Sequence, residues 1–149
     1  MCIRDSSYLA GLESRTGSQG ILGFRQAIDA LWILRPDPPR MTERTRKESP
    51  WLENDLSNFA SWYRLKVLDD PEGAESMRES LRQRVAGFDR LRLERAGGMS
   101  AELRCSFQFG SQKHELSWAQ LSDGQRLLIA LYGVLHLAAP KARLLFRCV

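Results

Sequence analysis

Apolar positions along this chain change period several times, and each change marks an element. From Gly20 to Leu34, Phe24, Ile28, Leu31 and Trp32 share one face of a 3.6-residue period, which predicts a helix. Pro36, Pro38 and Pro39 end it, because proline lacks the N–H that would continue the ladder. Residues 35–49 then read as a polar, proline-bearing loop, exposed and mobile. A second helix is predicted from Pro50, placed in the first turn after Ser49. Leu52, Leu56, Phe59 and Tyr63 form its stripe and Trp62 widens it. A third starts at Asp70 as cap, with Pro71 in the first position and Glu72 and Glu75 toward the positive end of the dipole. Met77, Leu81 and Val85 are its buried stripe, and Gly87 its stop, with Phe88 packing back behind it.

After residue 88 the period drops to two. Leu91 and Leu93 alternate with Arg90, Arg92 and Glu94. Beyond a Gly97-Gly98 turn, Ala101, Leu103, Cys105, Phe107 and Phe109 alternate with Glu102, Arg104, Ser106 and Gln108. Gly110-Ser111-Gln112-Lys113 is a second turn, and Glu115 to Trp118 a third short strand with Leu116 and Trp118 inward. These make a three-stranded antiparallel meander. Next comes Leu121-Ser122-Asp123-Gly124-Gln125, then an apolar run from Leu127 to Ala139 that is apolar on nearly all sides and so predicts a buried helix. Past Pro140, Ala142 to Phe146 read as the start of a buried strand.

Two of the five residues from Leu121 to Gln125 follow from local chemistry. Ser122 is a good N-cap and Gln125 lies three residues on, the capping-box spacing. Gly124 does not follow. A glycine in the first turn costs roughly 1 kcal/mol against alanine, and it makes sense where something must approach the backbone closely. The free N–H groups of a helix start, backed by the dipole, suit an anion such as a phosphate.

Leu121 to Gln125 resembles the LSxGQ signature motif of ABC-type ATPases. The order of signature, buried helix and strand is similar to that of the RecF/SMC-like members. The segment Leu52 to Arg64 also resembles the helix these ATPases carry before the chain returns to the head. The resemblance spans roughly Leu52 to Phe146, and only the signature is specific. It implies an α/β fold, α+β as a fragment. Helices and the meander would lead into the signature helix and the first half of the Walker B strand of a P-loop NTPase head. Residues 35–49 would be an exposed loop, 50–88 a helical insertion and 89–149 the C-terminal lobe of a partial head covering residues 7–149. It further implies ATP and Mg²⁺ as ligands and a composite site in a symmetric head dimer. Ser122 would donate its hydroxyl to the γ-phosphate, Gly124 its backbone N–H, and Gln125 would support the loop. Asp123 occupies the variable position.

The chain departs from the family in what surrounds the signature. Arg147-Cys148-Val149 follow the Leu144-Leu145-Phe146 strand where the family carries an Asp-Glu pair, so no Mg²⁺ ligands are present. No G-x-x-x-x-G-K-[ST] occurs, and Gly17, Gly20 and Gly23 have no lysine behind them. His136 reads as a packing or partly exposed histidine within the signature helix. Residues 1–6, Met1-Cys2-Ile3-Arg4-Asp5-Ser6, resemble a peptide produced when sequencing-adaptor DNA is translated in metagenomic assemblies, and Cys148-Val149 fit its counterpart. The alternative is a genuine short N-terminus. The expectation is a piece of an ATPase that supplies the signature in trans, with no catalytic residue of its own and no activity alone.

Composition narrows the remaining classes. The chain's 149 residues are enough for one domain with a modest core. Twenty-two basic against eighteen acidic residues leave +4. Arg40, Arg44, Arg46 and Lys47 cluster, and Arg78, Arg82, Arg84, Arg90, Arg92 and Arg95 form a second series. No aromatic residues interleave them, so a solvated surface is the plainer reading and a nucleic-acid face lacks support. Three cysteines make no disulfide framework, and Cys105, on the apolar side of its strand, is expected buried and reduced, as in the cytoplasm. His114 and His136 have no partners at metal-ligand spacing. The apolar run after the signature falls short of the roughly 20 residues a bilayer needs, and no h-region of a signal peptide opens the chain. The competing class is a non-catalytic interaction module of helices and meander in which Ser122 is only a cap. A nuclease-coupled or DNA-repair ATPase differs only in parts that lie outside this chain.

Overall fold

The computed structural model describes residues 31–138 and the backbone of 143–146. Within these residues the protein is a mixture of α-helix and mainly antiparallel sheet, in the order β1 (Leu31–Leu34), β2 (Arg44–Thr45), α1 (Phe59–Asp69), α2 (Pro71–Arg84), β3 (Phe88–Arg95), β4 (Ala101–Phe109), β5 (Gln112–Ser117), α3 (Asp123–Leu137) and β6 (Arg143–Phe146). One-turn 3-10 helices at Pro38–Arg40 and Trp118–Gln120 lie between β1 and β2 and between β5 and α3.

The meander forms as its alternation predicts. Strand β4 pairs antiparallel with β3 on one side, Leu91 opposite Cys105 and Leu93 opposite Leu103, and with β5 on the other, Cys105 opposite Leu116. Leu91, Leu103, Cys105 and Phe107 are buried on the helix-facing side. The opposite face is laced by cross-strand ion pairs, such as Arg92 with Glu115 at 2.8 Å and Arg104 with Glu94 at 3.3 Å. The third strand begins at Gln112 rather than Glu115, and Trp118 falls in the 3-10 turn after it, still fully buried. A fourth strand, β2, joins the sheet: Arg44 lies opposite Glu102 and Thr45 opposite Ala101.

Helix α2 matches its sequence reading. The Asp70 carboxylate accepts the Gly73 N–H at 2.8 Å, Pro71 takes the first turn, and Ala74, Met77 and Leu81 are buried. Gly87 ends the connection with φ +74, a conformation in which a side chain is strained.

Three expectations are corrected. Residues 31–34 form a strand, not the end of a helix. Strand β1 runs parallel to β6, Leu31 opposite Arg143 and Leu34 opposite Phe146. A four-residue apolar run carries too little period to separate the two states, and pairing with a strand more than a hundred residues away decides it. The rest of that predicted helix, residues 20–30, lies outside the described residues, as do the adaptor-like residues 1–6.

The second correction concerns the helix predicted from Pro50, which starts at Phe59. Leu56 sits at φ +62, outside the helical region. Two side chains replace helical bonds with local turns: Asp55 accepts from the Ser57 N–H at 2.9 Å and Asn58 from the Glu53 N–H at 2.9 Å. Leu56 is nonetheless fully buried, so the apolar stripe was real and only its backbone was misread.

Third, residues 35–49 are not an exposed, mobile loop. They hold the Pro38–Arg40 turn and β2, and they bury Met41 and Thr45. Backbone hydrogen bonds stitch them to the turn before α1, from the Arg35 N–H to the Asn54 carbonyl at 2.7 Å and from Thr42 to Ser57 at 3.1 Å. Arg40 adds an ion pair to Asp55 at 3.0 Å.

The core gathers where α1 meets α3 and the meander. Phe59 is fully buried and stacks on Trp118, with ring centroids 5.6 Å apart, and on Tyr63 at 5.7 Å. Gly133 of α3 lies against the Phe59 ring, which lets the two helices approach closely. Ile129, Ala130, Val134 and Leu137 complete the buried face of α3. That helix is not buried all round as its composition predicts, because Leu128 and Leu135 are exposed at 39% and 65%.

Candidate functional site

The Leu121–Gln125 turn is built from both sides. Trp118 and Leu121 are buried and hold the incoming chain to the core. Ser117 and Gln120 close one capping box around the 3-10 turn, and Ser122 and Gln125 close a second around the start of α3. In the second, the Ser122 Oγ accepts the Gln125 N–H at 3.3 Å, and the Gln125 Oε1 accepts the Ser122 N–H at 2.9 Å. Both residues therefore sit where the sequence placed them.

This double cap leaves donors that it does not use. A serine hydroxyl carries one proton besides its acceptor lone pairs, and a glutamine amide carries two donors on nitrogen. The cap uses only the Ser122 oxygen as acceptor and only the Gln125 carbonyl, so the hydroxyl proton and the Nε2 protons stay free of it. Ser122, Asp123 and Gly124 are exposed. The N–H of Gly124 lies in the first turn, where α-helices have no internal partner for it.

Gly124 has no internal reason to be glycine. It is not among the glycines at positive φ, and a Cβ built on it meets no atom within 4 Å. Gly133 and Gly87 differ sharply, since a Cβ there would come within 2.9 Å of Phe59 and 2.5 Å of Phe109 respectively.

One side chain in the turn had no role in the sequence reading. The Arg126 side chain is largely enclosed, at 16% exposure, and its guanidinium spends each nitrogen separately. Its Nε donates to the Leu121 carbonyl at 3.1 Å, its Nη1 to the Pro38 carbonyl at 3.1 Å, and its Nη2 pairs with the Asp123 carboxylate at 3.2 Å. It thus fixes the turn onto the Pro38–Arg40 segment and balances the acidic charge beside the free donors. Glu43 makes a second link from the same segment, accepting the Ala119 N–H at 3.2 Å. The Asp123–Arg126 spacing is visible in the sequence, but a contact from residue 126 back to residue 38 leaves no local signal.

The other singled-out residues lie elsewhere. His136 is partly buried, its Nδ1 3.2 Å from the Ser76 hydroxyl and its ring stacked on Tyr132. Cys105 is buried and unpaired, and burial pushes its thiol up to about 12, which keeps it a protonated, inert apolar group. The described residues contain no cluster of three acidic, histidine or cysteine groups able to hold a metal, and no helix among them is long and apolar enough to cross a membrane. Chemically, the turn offers neutral hydrogen-bond donors at a helix start and no nucleophile, base or metal ligand set. No protein-family model matches the chain, and neither does any curated protein or solved structure.

Proposed function

We propose that the chain is the signature-bearing lobe of an ABC-type ATPase of the RecF/SMC-like kind. In that reading Ser122, Gly124 and Gln125 close over the γ-phosphate of ATP held by a second head. The observation that carries it is Gly124. Neither its backbone conformation nor the packing around it calls for glycine, although glycine there costs roughly 1 kcal/mol. A surface from outside that must come close to the backbone accounts for it, and a phosphate at a helix start is such a surface.

The Ser122 hydroxyl proton and the Gly124 N–H then act as positioned donors on the transferring phosphoryl group, where negative charge is carried in the transition state. Gln125 keeps Ser122 in place through the cap. Mg²⁺ would be held by the opposite head and would neutralise charge between the β- and γ-phosphates. A site shared in this way implies a symmetric dimer of heads, with ATP holding the interface together and hydrolysis releasing it. By itself the chain turns over no ATP. The expected rate of the isolated chain is that of its Ser122→Ala variant, and a rate above that control overturns the assignment of a non-catalytic lobe.

Cloning the coding DNA together with its flanks tests the reading. A G-x-x-x-x-G-K-[ST] loop upstream and an Asp-Glu pair after the strand of Leu144 to Phe146 are expected. Dimerisation of the resulting protein on ATP should be lost in Ser122→Ala. Flanks without these motifs, or ATP-driven dimerisation indifferent to Ser122, sink it.

The second reading is a non-catalytic interaction module of helices and meander. The complete capping box favours it, since the box explains Ser122 and Gln125 without any ligand. In that case Ser122→Ala costs about 1 kcal/mol of stability and nothing else.

A further inference from the structure

Away from the α3 turn, α1, α2 and the β3–β4 strands enclose an open cleft of about 400 Å³, in the range of small-molecule sites. Its walls are apolar, Val67 and Leu68 from α1 and Leu91 and Leu93 from β3. Tyr63 closes the floor, 1% exposed and stacked on Phe59.

The charges around the cleft are already balanced. Arg64 pairs with Glu48 at 2.6 Å and Arg78 with Glu75 at 3.0 Å. Arg92 turns its side chain to the opposite face of the sheet, where it meets Glu94 and Glu115. Nothing in the lining therefore calls for an ionic ligand, whose desolvation would go uncompensated.

The floor is different. The Tyr63 hydroxyl has no hydrogen-bond partner among the described residues. Nor is it sealed from the surface, as the unpartnered side-chain nitrogens of Trp62, Arg104 and Trp118 are. The little of Tyr63 that reaches the surface thus includes this oxygen, and the surface it reaches is the cleft. A hydroxyl set among apolar groups without a partner is costly, and phenylalanine would make the same stack on Phe59 without that cost. Packing accounts for the ring of Tyr63 and not for its oxygen. Burial raises the phenol to about 12, so at neutral pH it keeps its proton and offers a donor. Arg78 adds donors only. Its Nε and Nη1 go to the Ala74 carbonyl and to Glu75, and its Nη2 has no partner among the described residues. The polar groups of the lining ask for an acceptor, and the balanced charge asks for a neutral one.

We propose that this cleft binds a neutral small molecule with an apolar body and one carbonyl oxygen, the body between α1 and β3 and the oxygen accepting from the Tyr63 hydroxyl. The proposal does not depend on the role assigned to Ser122 and Gly124.

The test titrates the full chain with acetophenone, ethylbenzene and benzoate, followed by its amide resonances. Acetophenone should shift residues 63–68 and 91–93. Tyr63→Phe keeps the ring and its stack. It should weaken acetophenone about fivefold, the scale of one neutral hydrogen bond, and leave ethylbenzene unchanged. Benzoate, alike in shape but charged, should bind the parent chain more weakly than acetophenone. Equal weakening of both neutral probes in Tyr63→Phe would make Tyr63 a packing residue and overturn the proposal. So would acetophenone binding indifferent to that substitution, benzoate binding as tight as acetophenone, shifts elsewhere on the molecule, or no shift with any probe, which leaves water as the hydroxyl's only partner.

Discussion

At the scale of single residues, glycines separate what the fold needs from what it does not. Gly133 touches a Phe59 ring that is itself fully buried and stacked on Trp118, so the ring cannot swing away from an added methyl. Overpacking of this kind costs about 1–3 kcal/mol, and the better helix propensity of alanine returns roughly 1 kcal/mol. Gly133→Ala should therefore be destabilising by about 1 kcal/mol in urea unfolding. Gly124→Ala meets nothing and should stabilise by a similar amount. A Gly124→Ala protein less stable than the parent would mean that the turn strains against a side chain after all. Cys105 supplies a separate check on burial. With its thiol raised to about 12, iodoacetamide at pH 8 should leave it unmodified in the native protein and label it on unfolding, as read by peptide mass. Labelling of the native chain at Cys105 would show that the sheet opens there.

Among the elements, the turn before α3 depends on a long-range tie as much as on its own cap. Ser122→Ala removes one local bond and should cost about 1 kcal/mol. Arg126→Ala removes two bonds from a charged donor to carbonyls, Leu121 and Pro38, in a largely enclosed position. It should cost more, about 2 kcal/mol. Its pairing with the exposed Asp123 adds little. Arg126→Lys keeps the charge but has no fork to span both carbonyls, and so should recover less than half of the loss. Chemical denaturation of the three variants checks the order, and equal losses for Ser122→Ala and Arg126→Ala would reduce the link to the Pro38 turn to a passive contact. The elements also show where pattern reading held. Helix α2 and the meander were legible because their signals are local, namely Asp70 before Pro71, the Met77 and Leu81 spacing, and the strict alternation from Ala101 to Phe107. The start of α1 was not, because the side chains of Asp55 and Asn58 bonded nearby N–H groups and outcompeted helix over residues whose apolar spacing was helical.

Across the whole molecule, charge makes stability depend on acid. Asp89 is held below its ordinary 3.8 by the hydrogen bonds from Lys113 and Ser106. Burial pulls Asp55 upward, but the Ser57 hydrogen bonds and the Arg40 guanidinium outweigh it and leave it lowered as well. A carboxyl whose folded value lies below its unfolded value contributes stability at any pH above the unfolded value, and that contribution fades as pH falls through the folded one. Thermal melts should thus be insensitive to these groups near neutrality and fall below about pH 4. Asp89→Asn should lower the melting temperature at pH 7 and flatten part of the acid slope. An acid slope unchanged by that substitution would assign the effect to other carboxyls.

The sequence by itself determined whatever rests on neighbours in the chain. The caps at Asp70 and Ser122, the alternation that makes β3 and β4 and the burial of Cys105 all follow from residues within a few positions of one another. Tertiary structure decided what rests on distant partners. Leu31 to Leu34 became a strand because β6 offered a parallel edge. Residues 35–49 became a fixed segment because Asn54, Ser57 and Arg126 held their backbone. Helix α3 kept Leu128 and Leu135 in the open because α1 and α2 cover only one of its faces. The cleft over Tyr63 exists because α1, α2 and β3 bring Val67, Leu91 and Leu93 around it. Hydrophobic period tells a residue which way to face, but only the arrival of a partner settles what it faces.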